Sequence, residues 1–221
     1  MADDVVWCHD LYRFYRSGDE ETLALRGVSL RVARGEVVAV VGPSGSGKST
    51  LLACLAGLDE PDGGAVTLAG ERISHRSEAE RARIRSRRLG VVLQSGNLIT
   101  HLTVTANIRL VQAAQRSTEQ TTPDRLLEQV GLRDRASALP RELSGGELAR
   151  AGLAVALSNN PDVLLADEPT GELDSHSEQV VLDLIRARAY DGRGVLVVTH
   201  SPAVTAIADR VIALSDGRIA A

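Results

Sequence analysis

The chain has 221 residues, 43% of them hydrophobic, which is enough to bury a substantial core and excludes a disordered chain. A net charge of -4 gives no general attraction to nucleic acid or anionic lipid. Two cysteines, Cys8 and Cys54, are too few for a disulfide framework and read as buried free thiols.

The start, Met1-Ala2-Asp3-Asp4, is acidic and lacks the basic-then-apolar order of a signal peptide. No apolar run reaches the ~18 residues needed to span a bilayer. The expectation is a cytosolic chain, with any membrane part supplied by another polypeptide.

In chain order, Trp7, Tyr12, Phe14 and Tyr15 come first. Val28–Val32 and Ala65–Leu68 then alternate apolar and polar, as antiparallel strands with one exposed face do. Four other runs are apolar without alternation: Val37–Val41, Leu89–Leu93, Val163–Ala166 and Val195–Thr199. They predict strands of a central parallel sheet buried on both faces. Helical patterns at Ser49–Leu58 and Glu178–Arg188 lie between them, so the class is α/β. From Leu98 to Asn159 the periodicity is helical, with Pro123 opening one helix and Gly131 ending it.

Each buried run finishes on chemically loaded residues: Gly42 and a glycine loop, Gln94, Asp167-Glu168, and His200. Ligands of open parallel sheets bind beyond the carboxyl ends of the strands. Four segments thus deliver polar groups to one edge.

Gly42-Pro43-Ser44-Gly45-Ser46-Gly47-Lys48-Ser49-Thr50 follows a strand, precedes a helix and fits the phosphate-loop pattern. Such a loop aims successive amides at a phosphate, with Lys48 on the β- and γ-phosphates and Ser49 on Mg²⁺. Lys48 is also the only lysine in the chain. A slim ammonium suits this position where a guanidinium fork does not. The absence of other lysines also excludes the Asn-Lys-x-Asp guanine reader of GTPases. Asp167 is placed to hold Mg²⁺ and Glu168 to act as general base. Ser144-Gly145-Gly146-Glu147 reads as a capping box opening a helix. A capping box does not require two glycines, so close approach of a phosphate to the backbone is the stronger reading.

Together these motifs resemble the ATP-binding subunits of ABC transporters over essentially the whole chain. Gly42–Thr50 is similar to their Walker A, Gln94 to the Q-loop and Leu143–Glu147 to the LSGG signature. Asp167-Glu168 resembles Walker B, Asp174 belongs to a D-loop-like segment, and His200 resembles the switch histidine. The wording around Asp167 most resembles the branch of lipoprotein-releasing and macrolide-export ATPases.

The resemblance implies a RecA-like, mostly parallel sheet core with an antiparallel β subdomain. Residues 1–95 and 160–221 would form this catalytic core, with 96–159 as an inserted helical subdomain. It implies ATP and Mg²⁺ as ligands, Gln94 as an additional metal contact, and catalytic roles for Glu168, His200 and Lys48. It implies head-to-tail pairing with a second copy or a homologous subunit. Ser144, Gly145 and Gly146 would then contact the γ-phosphate bound by the partner, with Glu147 and Asp174 also among the nucleotide-binding residues. A transmembrane permease would be the other partner, holding the chain at the inner face of the membrane; no nucleic-acid partner is expected, since the chain has neither paired domains nor coiled-coil insertions.

Tyr15 is the expected adenine-stacking residue, and Trp7 and Tyr12 are expected in the core. Leu148, Val155, Ser201 and Thr100 depart from the family's usual pattern. The run Arg76–Arg88 is interleaved with Glu78 and Glu80 and reads as a solvated helix face. A regulatory or mechanical role, as in cell-division-like complexes, is the alternative to transport.

Overall fold

The computed structural model describes residues 4–17, 20–115, 120–171 and 173–220. Its centre is a six-stranded sheet. Strands β3 (Val37–Val41), β6 (Leu89–Val92), β7 (Val163–Asp167), β8 (Gly194–Val198) and β9 (Arg210–Ser215) run parallel, and β10 (Arg218–Ile219) closes one edge antiparallel. The order across the sheet is β10-β9-β3-β8-β7-β6. The four apolar runs of the sequence are its four consecutive strands from β3 to β6.

Both faces of this sheet are buried, which is why those runs do not alternate. Val38, Val40, Leu165, Leu196 and Val198 point into one core, together with helix α1 (Lys48–Leu55). Val37, Leu164, Ala166, Val195 and Val197 point into the other. A second sheet, ordered β2-β1-β4-β5, is antiparallel throughout. It comprises the long pair β1 (Asp4–Ser17) and β2 (Glu20–Ala33) with β4 (Gly63–Leu68) and β5 (Glu71–Arg72). Its apolar face shares the first core, where Cys8 and Cys54 are both buried.

The second core is covered by α3 (Val104–Ala113), α4 (Pro123–Gln129), α5 (Gly145–Leu157), α6 (Ser175–Tyr190) and α7 (Pro202–Ile207). Among the described residues no strand interrupts the stretch between β6 and β7. Pro123 is the first residue of α4, and Gly131 stands beyond its end at φ 65°. Helix α5 lies close against β6: a β-carbon at Gly90 would come within 2.5 Å of the Ala156 carbonyl.

Two expectations change. Tyr12 is 40% exposed and packs on the backbone of Gly27 and Gly63, because its position on the twisted hairpin faces outward. Trp7 is only half-buried, stacked on His9. The arginine-rich helix α2 (Glu78–Arg88) is exposed on one side but is also tied down. Arg81 pairs with Glu60, Arg87 and Arg88 with Glu71, and Arg88 with Asp162 at the start of β7.

Candidate functional site

Six of the seven α-helices among the described residues begin on a Ser, Thr or Asp whose side chain accepts an amide of the first turn. Helix α1 is the exception: it follows Gly47, at φ 101°, and has no side-chain cap. Its first amides therefore have no side-chain acceptor at the cap and carry the positive end of the helix dipole. Gly42 and Gly47 are glycines for steric reasons. A β-carbon would lie 2.0 Å from the Leu214 carbonyl at Gly42 and 2.5 Å from the Ala24 carbonyl at Gly47. The loop is thus wedged between β9 and β2.

Lys48 is buried at 8% exposure, and its ammonium donates to the carbonyls of Gly42 and Pro43 at 2.8 and 3.0 Å. Those carbonyls hold the cation over the loop. The Ser46 hydroxyl is buried without a hydrogen-bond partner, and the Ser46 carbonyl accepts from the Gly217 amide at 3.0 Å.

A cavity of about 550 Å³ opens beside the loop. It is lined by Ser44, Gly45, Gly47, Lys48, Ser49 and Thr50, and by the residues that the sequence placed at the other strand ends: Gln94, Asp167, Glu168 and His200. Tyr15 lines its mouth, 40% exposed. The convergence expected of the parallel sheet is realised here, because β3, β6, β7 and β8 all end at this edge.

Asp167 stands at the end of β7, beside Ser49. Burial pushes its carboxyl above the usual range, against the pull of Ser49 and Lys48, and the neighbouring charge of Glu168 adds to the rise. A carboxylate disfavoured in this way is suited to receive a cation.

Glu168 adopts φ 48°, a left-handed conformation uncommon for a side chain of its size. Its amide donates to the Val198 carbonyl at 2.9 Å, which holds the turn against the end of β8. Its Oε2 accepts from the Thr199 hydroxyl at 3.2 Å and from the His200 amide at 3.1 Å. The His200 ring stands with Nε2 3.7 Å from Glu168 Oε1. Thr199 is fully buried and was not singled out from sequence, although its place before His200 at a strand end was a usable signal. Thr22, Arg26 and the Asp216-Gly217 turn also line the cavity without having been foreseen.

The second glycine motif lies elsewhere. Ser144 accepts from the Glu147 amide at 3.3 Å and Glu147 from the Ser144 amide at 2.8 Å, so the capping box is present. Ser144, Gly145, Gly146, Glu147 and Asp174 do not line the loop cavity. Gly145 faces open space and lines a separate hollow of about 330 Å³ that also reaches Gln94 and Glu168. Gly146 is packed against Ser177 and Asp174. Asp174 caps α6 through the Ser177 amide at 3.0 Å and accepts the Ser177 hydroxyl at 2.7 Å. The buried Arg150 donates to the same Ser177 oxygen.

The departures from the family pattern also have places. Leu148 and Thr100 line the hollow beside Gly145, and Val155 borders a neighbouring groove. Ser201 caps α7 and donates to Glu178 at 3.1 Å.

An uncapped helix start behind a wedged glycine loop, with an aspartate and a clamped glutamate opposite, defines a phosphate-loop ATPase. Residues 25–171 match the family model described as ABC transporter, and the chain belongs to that family. It is 42% identical to the lipoprotein-releasing system ATP-binding protein LolD of Shewanella oneidensis, over 98% of this chain and 96% of that one. It is 41% identical to the macrolide export ATP-binding/permease protein MacB of Salmonella choleraesuis, over 94% of this chain but 32% of that longer protein. Among solved structures, the dimeric MJ0796 bacterial ABC transporter cassette superposes with a TM-score of 0.91 at 34% identity, covering 98% and 97% of the two chains. A post-hydrolysis dimer of MJ0796 bound to ADP and Pi gives 0.90 at 35% identity.

Proposed function

We propose that this chain hydrolyses ATP as one half of a head-to-tail pair, with a second copy or a homologous subunit, and so drives a separate transmembrane permease. The observation that carries the reading is the gathering of Lys48, Ser49, Asp167, Glu168 and His200 around one cavity at the sheet edge. Among the described residues no helix is long and apolar enough to cross a membrane. The chain would therefore sit at the inner face of the membrane through its permease. Export, or extraction from the membrane, is the work suggested by its similarity to LolD and MacB.

The residues present fit magnesium. Ser49 and Asp167 offer adjacent hard oxygens, and Gln94 can add a third. Among the described residues no group of three or more His, Cys, Asp or Glu could form a cage for a metal ion. That suits an ion that takes its remaining ligands from phosphate and water. When bound, magnesium supplies neutralisation of charge on the β- and γ-phosphate oxygens.

The chain's own groups do the rest. The loop amides and the Lys48 ammonium bind and orient the phosphates. Glu168, fixed through Oε2, takes a proton from the attacking water at Oε1. His200 stands over the same carboxylate and orients the γ-phosphate. Ser144, Gly145, Gly146, Glu147 and Asp174, remote from this chain's own loop, act on the nucleotide of the partner. Residues 96–159, which carry the signature helix, form the helical subdomain between the two sites and the permease. The core of 1–95 and 160–221 holds the nucleotide.

Glu168→Gln tests the reading. Hydrolysis should fall by about 100-fold or more, the scale of a lost general base, while ATP drives the variant into a dimer on size-exclusion chromatography. Undiminished hydrolysis would reject Glu168 as the base.

A further inference from the structure

Tyr15 is held more firmly than a surface aromatic needs to be. Its hydroxyl donates to Asp59 Oδ2 at 2.7 Å, and Tyr15 lines the same cavity as Thr50 of the phosphate loop. The Arg13 guanidinium lies over one face of the ring, 4.8 Å from its centroid. Arg13 in turn donates to both oxygens of Asp59, from Nη2 at 2.8 Å and Nε at 2.9 Å, and to Asp62 at 3.1 Å. Asp62 also accepts the Phe14 amide at 2.8 Å. Asp59 belongs to the turn that ends α1, where its amide is bonded to the Ala53 carbonyl. The ring is therefore fixed by two side chains to the helix whose other end is the phosphate loop.

We propose that Arg13 and Asp59 are positioning residues that set the Tyr15 ring as the seat of the nucleotide base. The bidentate Arg13–Asp59 pair fixes the guanidinium plane against one ring face. The Asp59 carboxylate fixes the hydroxyl end, so the ring cannot swing away from the loop. Order is then supplied before binding, and the base does not have to immobilise a free side chain. The seat holds a planar ring by area and contact, and its distance from the phosphates is set by α1.

The proposal rests on the nucleotide reading above, and its test separates the two. Affinities for MgATP and for magnesium tripolyphosphate, which has no base, would be measured on the full chain and on Arg13→Ala, Asp59→Ala and Tyr15→Ala. The expected result is a loss of roughly 5- to 20-fold for MgATP in all three, within the range seen when a base loses its stacking partner. Tripolyphosphate should bind every variant as it binds the parent. Arg13→Lys, which keeps a charge beside Asp59 but removes the flat group over the ring, should weaken MgATP binding less than Arg13→Ala. It also stands in should the alanine variant not fold.

Unchanged MgATP affinity in Arg13→Ala and Asp59→Ala, with a loss in Tyr15→Ala, would show a ring that needs no clamp and overturn the proposal. Equal losses for both ligands would assign the pair to the loop and overturn it too. A parent chain that bound neither ligand would instead bring down the nucleotide reading itself.

Discussion

Gly146 stands against Ser177: a β-carbon placed on Gly146 would lie 2.5 Å from the Ser177 oxygen. That oxygen cannot swing away freely, because it donates to Asp174 and accepts from Arg150. The signature helix α5 and the start of α6 therefore meet at van der Waals contact with no room for a methyl group. The two adjacent glycines consequently do different things.

Gly146→Ala should force α5 from α6 and cost about 1–3 kcal/mol, as overpacking does, read as a melting temperature several degrees lower. Gly145→Ala strikes nothing within 4 Å and should leave the melting temperature unchanged or slightly raised. If Gly145 is where a partner's phosphate approaches, its alanine variant loses ATP-driven dimerisation while staying folded. Thermal melts and size-exclusion profiles of the two variants give the comparison.

Lys48→Arg should behave like Lys48→Ala in nucleotide binding. The Lys48 ammonium sits between the Gly42 and Pro43 carbonyls in a buried position that a guanidinium fork does not fit. Both variants should lose roughly tenfold or more in ATP affinity, the scale of a charged hydrogen bond. Titration with a fluorescent ATP analogue would show it, and retention of affinity in Lys48→Arg would contradict the point-charge argument.

Asn107, 3% exposed, organises the loop after Gln94. It accepts the Ile99 amide at 2.7 Å and donates to the carbonyls of Ile99, Leu102 and Thr103 at 3.0–3.2 Å. Asn107→Ala strands these groups and should lower stability by about 1–3 kcal/mol. Asn107→Asp keeps the shape but turns acceptor oxygens toward three carbonyls, so its loss at pH 7 should be larger. Urea unfolding of the two variants would check the order.

Glu71 gives a pH test. Burial alone would raise its carboxyl, but the Arg88 and Arg87 guanidiniums prevail and hold it below its usual value of 4.5. A depressed folded-state value means stability present above the unfolded value and lost as pH falls through the folded one. Glu71→Gln should therefore melt below the parent at pH 7. The gap should close as the pH drops below about 4.5. The effect should be small, because the pair is one-third exposed and solvent-screened.

The sheet was legible because its physical cause is local. Val37–Val41 and its three counterparts are apolar on both sides, and each ends at a change to glycine or a polar group. Strand β9, between β3 and the edge strand β10, by contrast mixes buried Ile212 and Leu214 with exposed neighbours in a short run, and no apolar run marks it in the sequence. The helix starts at Thr122-Pro123 and Ser144–Glu147 follow from local capping chemistry. Tyr12 could not be placed from sequence because its burial depends on how a fourteen-residue hairpin strand twists.

Sequence by itself determined where the glycine loop, the carboxylate pair and the LSGG stretch lie, and hence which family the chain joins. These depend on residue type at fixed spacing, and backbone amides and charges act over one turn. Only the tertiary structure decided who stands beside whom. It set Arg13 and Asp59 around Tyr15, Thr199 on Glu168, and Ser177 against Gly146, and it separated the signature from the chain's own loop. Those pairs are brought together by packing between elements far apart in the chain, and no local pattern encodes such a distance.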